Sequence, residues 1–189
     1  MTPTTIINTR ILVVEDDPHM RSFLRAVLSV STGGAMEYAE AGDGEEALKI
    51  LGAFQPDVIL SDWIMAPVDG LELLKRLRKG NTGISSFTPF IMVTSRSDGP
   101  WRAEARDAGV TEYLEKPVSV TDLYQGIKDV IENFKPFVRN RDYFGPDRRN
   151  GNKSYSGDDR RTSAPVYVSP GEDEVPPGER RWKWFDRAS

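Results

Sequence analysis

Between Asp57 and Gly70 the chain reads DVILSDWIMAPVDG, and this stretch restricts the fold more tightly than any other. Val58, Ile59 and Leu60 form a short apolar run that stops at Ser61 and Asp62, before a Pro-containing loop and a helix expected over Gly70 to Lys79. Such a run predicts a strand buried on both faces, as parallel strands of α/β proteins are. A carboxylate just past its C-terminal end then lies where open α/β sheets bind ligands. Taken alone, Asp62 reads as an ordinary turn residue, because turns favour Asp. The ends of the other strands decide between the two readings.

The same pattern recurs along the chain. Ile11, Leu12, Val13 and Val14 predict a first buried strand that ends in three acids, Glu15, Asp16 and Asp17, followed by Pro18. Pro fits the first helical turn and Asp fits the N-cap, so a helix starts here. Its Met20, Phe23, Leu24, Val27 and Leu28 recur at three and four residues and form one apolar face, which Gly33 and Gly34 close. Met36 to Ala41 predicts a weaker strand, and Asp43-Gly44 turns into a helix with Ala47, Leu48, Leu51 and Phe54 facing inward. Leu71, Leu73, Leu74 and Leu77 stripe a third helix, and Phe90 to Val93 predicts a fourth strand ending in Thr94 and Ser95. The helix from Pro100 offers only Trp101, Ala105 and Ala108 for contact and is expected to be the least firmly packed. Val110 to Leu114 predicts a fifth strand running into Glu115, Lys116 and Pro117, and Leu123, Ile127, Val130, Ile131 and Phe134 mark a final helix. Five strands alternating with five helices imply an α/β fold, a doubly wound parallel sheet covered on both faces.

With no Cys the chain has no disulfide framework, thiol nucleophile or Cys-based metal site, and a single histidine, His19, excludes His-cluster metals. His19 reads as a solvent-facing residue of the first helical turn. No apolar stretch approaches the roughly 18 residues of a membrane span, and MTPTTIINTR lacks the apolar core of a signal peptide. No membrane insertion and a cytoplasmic location are therefore expected. The chemistry left belongs to oxygen and ammonium groups, and these collect at four strand ends: the acids after the first, Asp62 after the third, Thr94 after the fourth and Lys116 after the fifth. In a doubly wound sheet those ends meet along one edge. The acids and Asp62 suit Mg²⁺, which prefers oxygen ligands and keeps several waters. Lys116 suits one phosphoryl oxygen as a point charge, Thr94 suits another as a hydroxyl donor, and a carboxylate can accept a phosphoryl group as an aspartyl phosphate.

At these positions ILVVEDDP, LSDWIMAPVDGLELL, FIMVTS and YLEKP resemble the motifs of response-regulator receiver domains, the phosphoacceptor modules of two-component signalling. The resemblance spans about residues 9 to 134 and implies the flavodoxin-like strand order 2-1-3-4-5. It implies that Asp62 is the phosphoacceptor and Asp16 a direct Mg²⁺ ligand, with Glu15 joining through water and the Ile64 backbone carbonyl completing the metal sphere. Lys116 would contact the phosphoryl group, Thr94 and Tyr113 would form a switch pair in which Tyr113 turns inward on phosphorylation, and the Lys116-Pro117 bond would be cis. Asp17 reads first as the cap of helix one and second as a further metal ligand. Two departures from the family pattern bear on the lifetime of the phosphorylated state: Ile64 stands where relatives often carry a polar residue, and Met-Pro is replaced by Met65-Ala66 with Pro67 following. Ile64 also removes the second acid of the Asp-x-Asp pair that a hydrolytic phosphatase on a similar sheet would need.

Composition changes near residue 134. Residues 1–134 hold 13 Lys and Arg against 20 Asp and Glu, or −7, while residues 135–189 hold 12 against 9, or +3. The second stretch also contains 6 Pro and 5 Gly without a periodic apolar face, which predicts a mostly disordered tail after a receiver domain over 1–134. Three echoes, GPDRRN, GDDRRT and PGERRW, each place an acid before an Arg pair. Phe137, Tyr143 and Phe144 are expected to dock the start of the tail, because aromatic side chains supply apolar area at low entropic cost. The expected partners are a sensor histidine kinase or phosphotransfer protein and an unidentified downstream protein, without nucleic acid. A DNA-binding regulator using the Arg-rich tail is the alternative, against which the neighbouring acids count, since they cancel attraction to phosphates.

Overall fold

The alternation of apolar runs and amphipathic stretches resolves into five parallel strands and five main helices in a computed structural model that describes residues 9–32, 36–96, 98–148 and 166–168. In chain order these are β1 (Arg10–Val14), α1 (Pro18–Thr32), β2 (Glu37–Ala41), α2 (Gly44–Phe54), β3 (Val58–Ser61), α3 (Gly70–Arg78), β4 (Phe90–Thr94), α4 (Gly99–Asp107), β5 (Glu112–Glu115) and α5 (Val120–Glu132). The strands lie in the order β2-β1-β3-β4-β5, all parallel, as the resemblance implies. Because successive strand side chains point to opposite faces, β1 divides its residues between two cores. Ile11 and Val13 join Leu24, Val27, Ile127 and Val130 of α1 and α5 on one face. Leu12 and Val14 join Leu51, Leu74, Leu77 and Ala105 of α2, α3 and α4 on the other.

Local chemistry starts the helices where the sequence suggests. Asp43 accepts from the amides of Glu45 and Glu46, Asp69 from Glu72 and Ser119 from Asp122, each capping a helix N-terminus. Asp98 precedes α4 without a side-chain cap bond, and Ala105 is the one buried residue of that helix, so α4 is thinly anchored as expected. The fifth strand begins at Glu112 rather than Val110 because the Val110 amide instead closes the end of α4 on the Ala105 carbonyl, at 3.1 Å.

Residues 135–148, the start of the expected tail, carry β6 (Phe137–Arg139) and β7 (Phe144–Pro146), and with β8 (Val166–Val168) these form an antiparallel sheet of order β7-β6-β8. Three-residue strands leave no readable alternation, and tertiary contact orders them: Phe137 is buried 5.0 Å from the Phe87 ring. The rest of the expected tail, 149–165 and 169–189, lies outside the described residues, as do the second and third Arg-pair echoes and the Gly33-Gly34 pair. Among the described residues no helix is long and apolar enough to cross a membrane.

Candidate functional site

Three strand ends are each prolonged by one more backbone bond to a neighbouring strand, and that bond sets the residue which follows. The Glu15 amide donates to the Ala41 carbonyl at 3.0 Å, the Asp62 amide to Val14 at 2.9 Å and the Lys116 amide to Thr94 at 2.9 Å. Glu15, Asp62 and Lys116 are thus held on the last rung of the sheet, at its C-terminal edge. Gly70 secures the β3 end from the other side, because a Cβ there would lie 1.9 Å from the Asp62 carbonyl oxygen. Only glycine lets the start of α3 approach Asp62 so closely.

The Lys116 ammonium lies between two carboxylates, 2.7 Å from Glu15 Oε2 and 2.8 Å from Asp62 Oδ2. Burial pulls the ammonium pKa down, but the bonds to Asp62 and Glu15 outweigh it and the net shift is upward, so Lys116 stays charged. Burial pushes the Glu15 carboxyl up, and the Lys116 bond offsets part of that. The other Asp62 oxygen accepts from the Trp63 amide at 2.5 Å. Carboxylate oxygens of Glu15, Asp16 and Asp62 all lie within 4.8 Å of one another, with Glu15 buried, Asp62 half-buried and Asp16 exposed. Three carboxylates and one ammonium leave a formal charge of −2, which one divalent cation cancels. An all-oxygen donor set with an exposed member suits an ion that retains water, as Mg²⁺ does.

Asp17 lies apart from this cluster: its carboxylate accepts from the His19 amide at 2.8 Å, the geometry of a cap on α1. Ile64 follows on the loop and is 49% exposed. Thr94 is buried at the end of β4, and its hydroxyl accepts from the Arg96 amide at 3.4 Å. The half-buried Tyr113 donates its hydroxyl to the Arg96 carbonyl, so both expected switch hydroxyls meet at one residue. Tyr113 is therefore tucked against the β4–α4 loop. The Lys116-Pro117 bond is cis, and so is Ala66-Pro67.

Sequence reasoning missed Arg96 and Trp63, and read Trp101 only as a packing residue of the fourth helix. The Arg96 guanidinium stacks 3.8 Å from the Trp101 ring centroid and lies 5.7 Å from that of Trp63, and the two indoles meet edge to face at 5.4 Å. This stack joins the residue after Asp62 to the first turn of α4. Residues 63, 96 and 101 share no period, so only the folded loops bring them together. Gly70 was legible as a helix start but not as a close approach.

The family model described as "Response regulator receiver domain" matches residues 11–128. The response regulator MprA of Mycobacterium tuberculosis is 35% identical over 130 residues, which is 69% of this chain and 54% of that protein. The chain thus spans about half the length of the curated relatives it matches. Among solved structures, the receiver domain of the Francisella response regulator 1452 superposes with a TM-score of 0.60 at 30% identity, covering 68% of this chain and all of that one. The chemotaxis protein CheY4 of Vibrio cholerae gives 0.59 at 28% identity over 65% of this chain and 98% of its own.

Proposed function

The chain belongs to the response-regulator receiver family, and from that premise we propose that Asp62 accepts a phosphoryl group from a sensor histidine kinase or phosphotransfer protein and that the signal leaves by protein contact. The observation that carries this reading is the Lys116 ammonium set between Asp62 and Glu15. A carboxylate oxygen forms the new bond to phosphorus while the donor's bond to phosphorus breaks, and the negative charge on the transferring oxygens is met by Lys116 and the Thr94 hydroxyl. Asp16 and Asp62, with Glu15 through water and the Ile64 carbonyl, would hold Mg²⁺, which neutralises phosphoryl oxygens when bound. Orienting Asp62 on the last rung of the sheet lowers the entropic part of the barrier.

Residues 1–134 carry this chemistry in our reading, and 135–189 serve its output. Thr94 and Tyr113 couple the site to a surface of α4, β5 and the start of α5, which rearranges readily because α4 has little buried area. With Mg²⁺ and a small phosphodonor, wild-type protein should be labelled, and Asp62→Asn should not, since an amide is no nucleophile here. Normal labelling of that variant at another residue would overturn the assignment. Asp16→Asn should weaken Mg²⁺ binding in a calorimetric titration, and an unchanged affinity would shift the direct ligand to Glu15.

A further inference from the structure

The family match ends at residue 128, yet the chain stays on the fold well past that point. Phe137 is 1% exposed and packs against Phe87, Phe134 and Phe144, at 5.0, 5.6 and 5.4 Å, with its ring 5.1 Å from the buried Arg78 guanidinium. The following residues cross the corner where α4 runs into β5. There Gly145 lies on Gly109: a Cβ on the first would fall 2.7 Å from the Gly109 Cα, and a Cβ on the second 2.7 Å from the Phe144 carbonyl oxygen. Arg148 spans the same corner, 2.6 Å from Asp107 in the last turn of α4 and 3.7 Å over the Tyr143 ring. Tyr143 in turn donates its hydroxyl to the Pro146 carbonyl at 2.8 Å. The described part of the first acid-Arg-Arg echo, Gly145 to Arg148, is thus docked.

Helix α4 is consequently held at both ends. Its first turn rests on Trp63, the residue after Asp62, through Trp101, and its last on Gly145 and Arg148. Between them only Ala105 is buried, so the helix can shift as a rigid body. The Gly109–Gly145 contact has no slack, and a small displacement of α4 either opens it or drives backbone into backbone.

We infer that residues 135–148 are a clamp on α4 that phosphoryl occupancy of Asp62 loosens, so that docking of this segment and occupancy of the site oppose each other. The inference rests on the phosphoacceptor reading above. It is tested on the full chain with Mg²⁺, with and without beryllofluoride as phosphoryl mimic, whose binding ¹⁹F NMR reads independently. Amides of Val138, Arg139 and Gly145 should exchange hydrogen several-fold faster in the adduct. Because coupling is reciprocal, Arg148→Ala should tighten beryllofluoride binding about three-fold and Gly145→Ala, which forces a methyl into Gly109, about ten-fold. A bound adduct with unchanged exchange over 135–148, or unchanged affinity in both variants, overturns the clamp and leaves the phosphoacceptor reading standing. Absence of an adduct on the wild-type chain overturns both.

Discussion

Lys116 at the C-terminal edge of the sheet and Arg78 at the end of α3 are both drawn out of water, yet opposite kinds of group satisfy them. Lys116 meets two carboxylates, Glu15 and Asp62, and is held above its ordinary pKa. Arg78 meets three carbonyls, of Gly109, Ser86 and Thr88, at 2.9, 2.6 and 2.8 Å, with the Thr111 hydroxyl and the Phe137 ring beside it. Burial pushes its guanidinium down to about 9, still above neutral pH, so its charge is kept. A carboxylate oxygen can accept a phosphoryl group, whereas a backbone carbonyl is no nucleophile for one. A cation among carboxylates is therefore a site poised to change, and a cation among carbonyls is a rivet between α3, the loop before β4 and the α4–β5 turn.

Breaking each cation separately tests that contrast. Arg78→Met leaves three buried carbonyls without their donor and should cost about 3 kcal/mol of unfolding free energy in urea, while the labelling rate per folded molecule changes by far less than in a Lys116 variant. A loss of labelling in the folded fraction as large as that of the Lys116 variant would merge the two regions into one functional unit. Lys116→Met should do the reverse, slowing labelling by about 10²-fold because charge on the transferring oxygens loses its partner. Wild-type rates for that variant would leave Lys116 as a second rivet.

Smaller effects sharpen the picture. Trp101→Ala removes the Arg96 stack and the edge contact with Trp63, and should cost about 1 kcal/mol, with amide exchange quickening along α4 but not α3. Equal quickening in both helices would show that the stack supports the whole face and does not tie α4 to the site. The smallest effect lies on the exposed side of α3, where Arg76 bonds Glu72 at 2.8 Å and holds its carboxyl below the ordinary 4.5. A depressed carboxyl contributes stability above 4.5 and loses it as pH falls through the folded value. Glu72→Gln should therefore cost about 0.3 kcal/mol at pH 7 and nothing once the wild-type carboxyl is protonated, measured by urea unfolding at both pH values.

Much of the fold was legible in the sequence. Val58 to Leu60 reads as a strand because a short apolar run needs cover on both faces, and Asp43, Asp69 and Ser119 act within three residues of themselves as caps. Asp62, Asp16 and Thr94 were legible as strand-end groups for the same reason, since each closes its own strand or opens the next helix. Residues 135–148 were harder, because nothing in FVR or FGP alternates, and their order comes from Phe87 and Arg78 far upstream.

By itself, then, the sequence determined the periodic elements, their α/β succession and the residues at each strand end, all of which follow from interactions a few positions apart. Only the tertiary structure decided which of those ends share a charge, since Lys116 and Glu15 are 101 residues apart and meet through strands paired across the sheet. It likewise decided that Gly70 must lack a side chain, that Arg96 joins Trp63 to Trp101, and that Gly145 closes on Gly109. Each of these depends on the distance between segments remote in the chain, and no local pattern of residues encodes that distance.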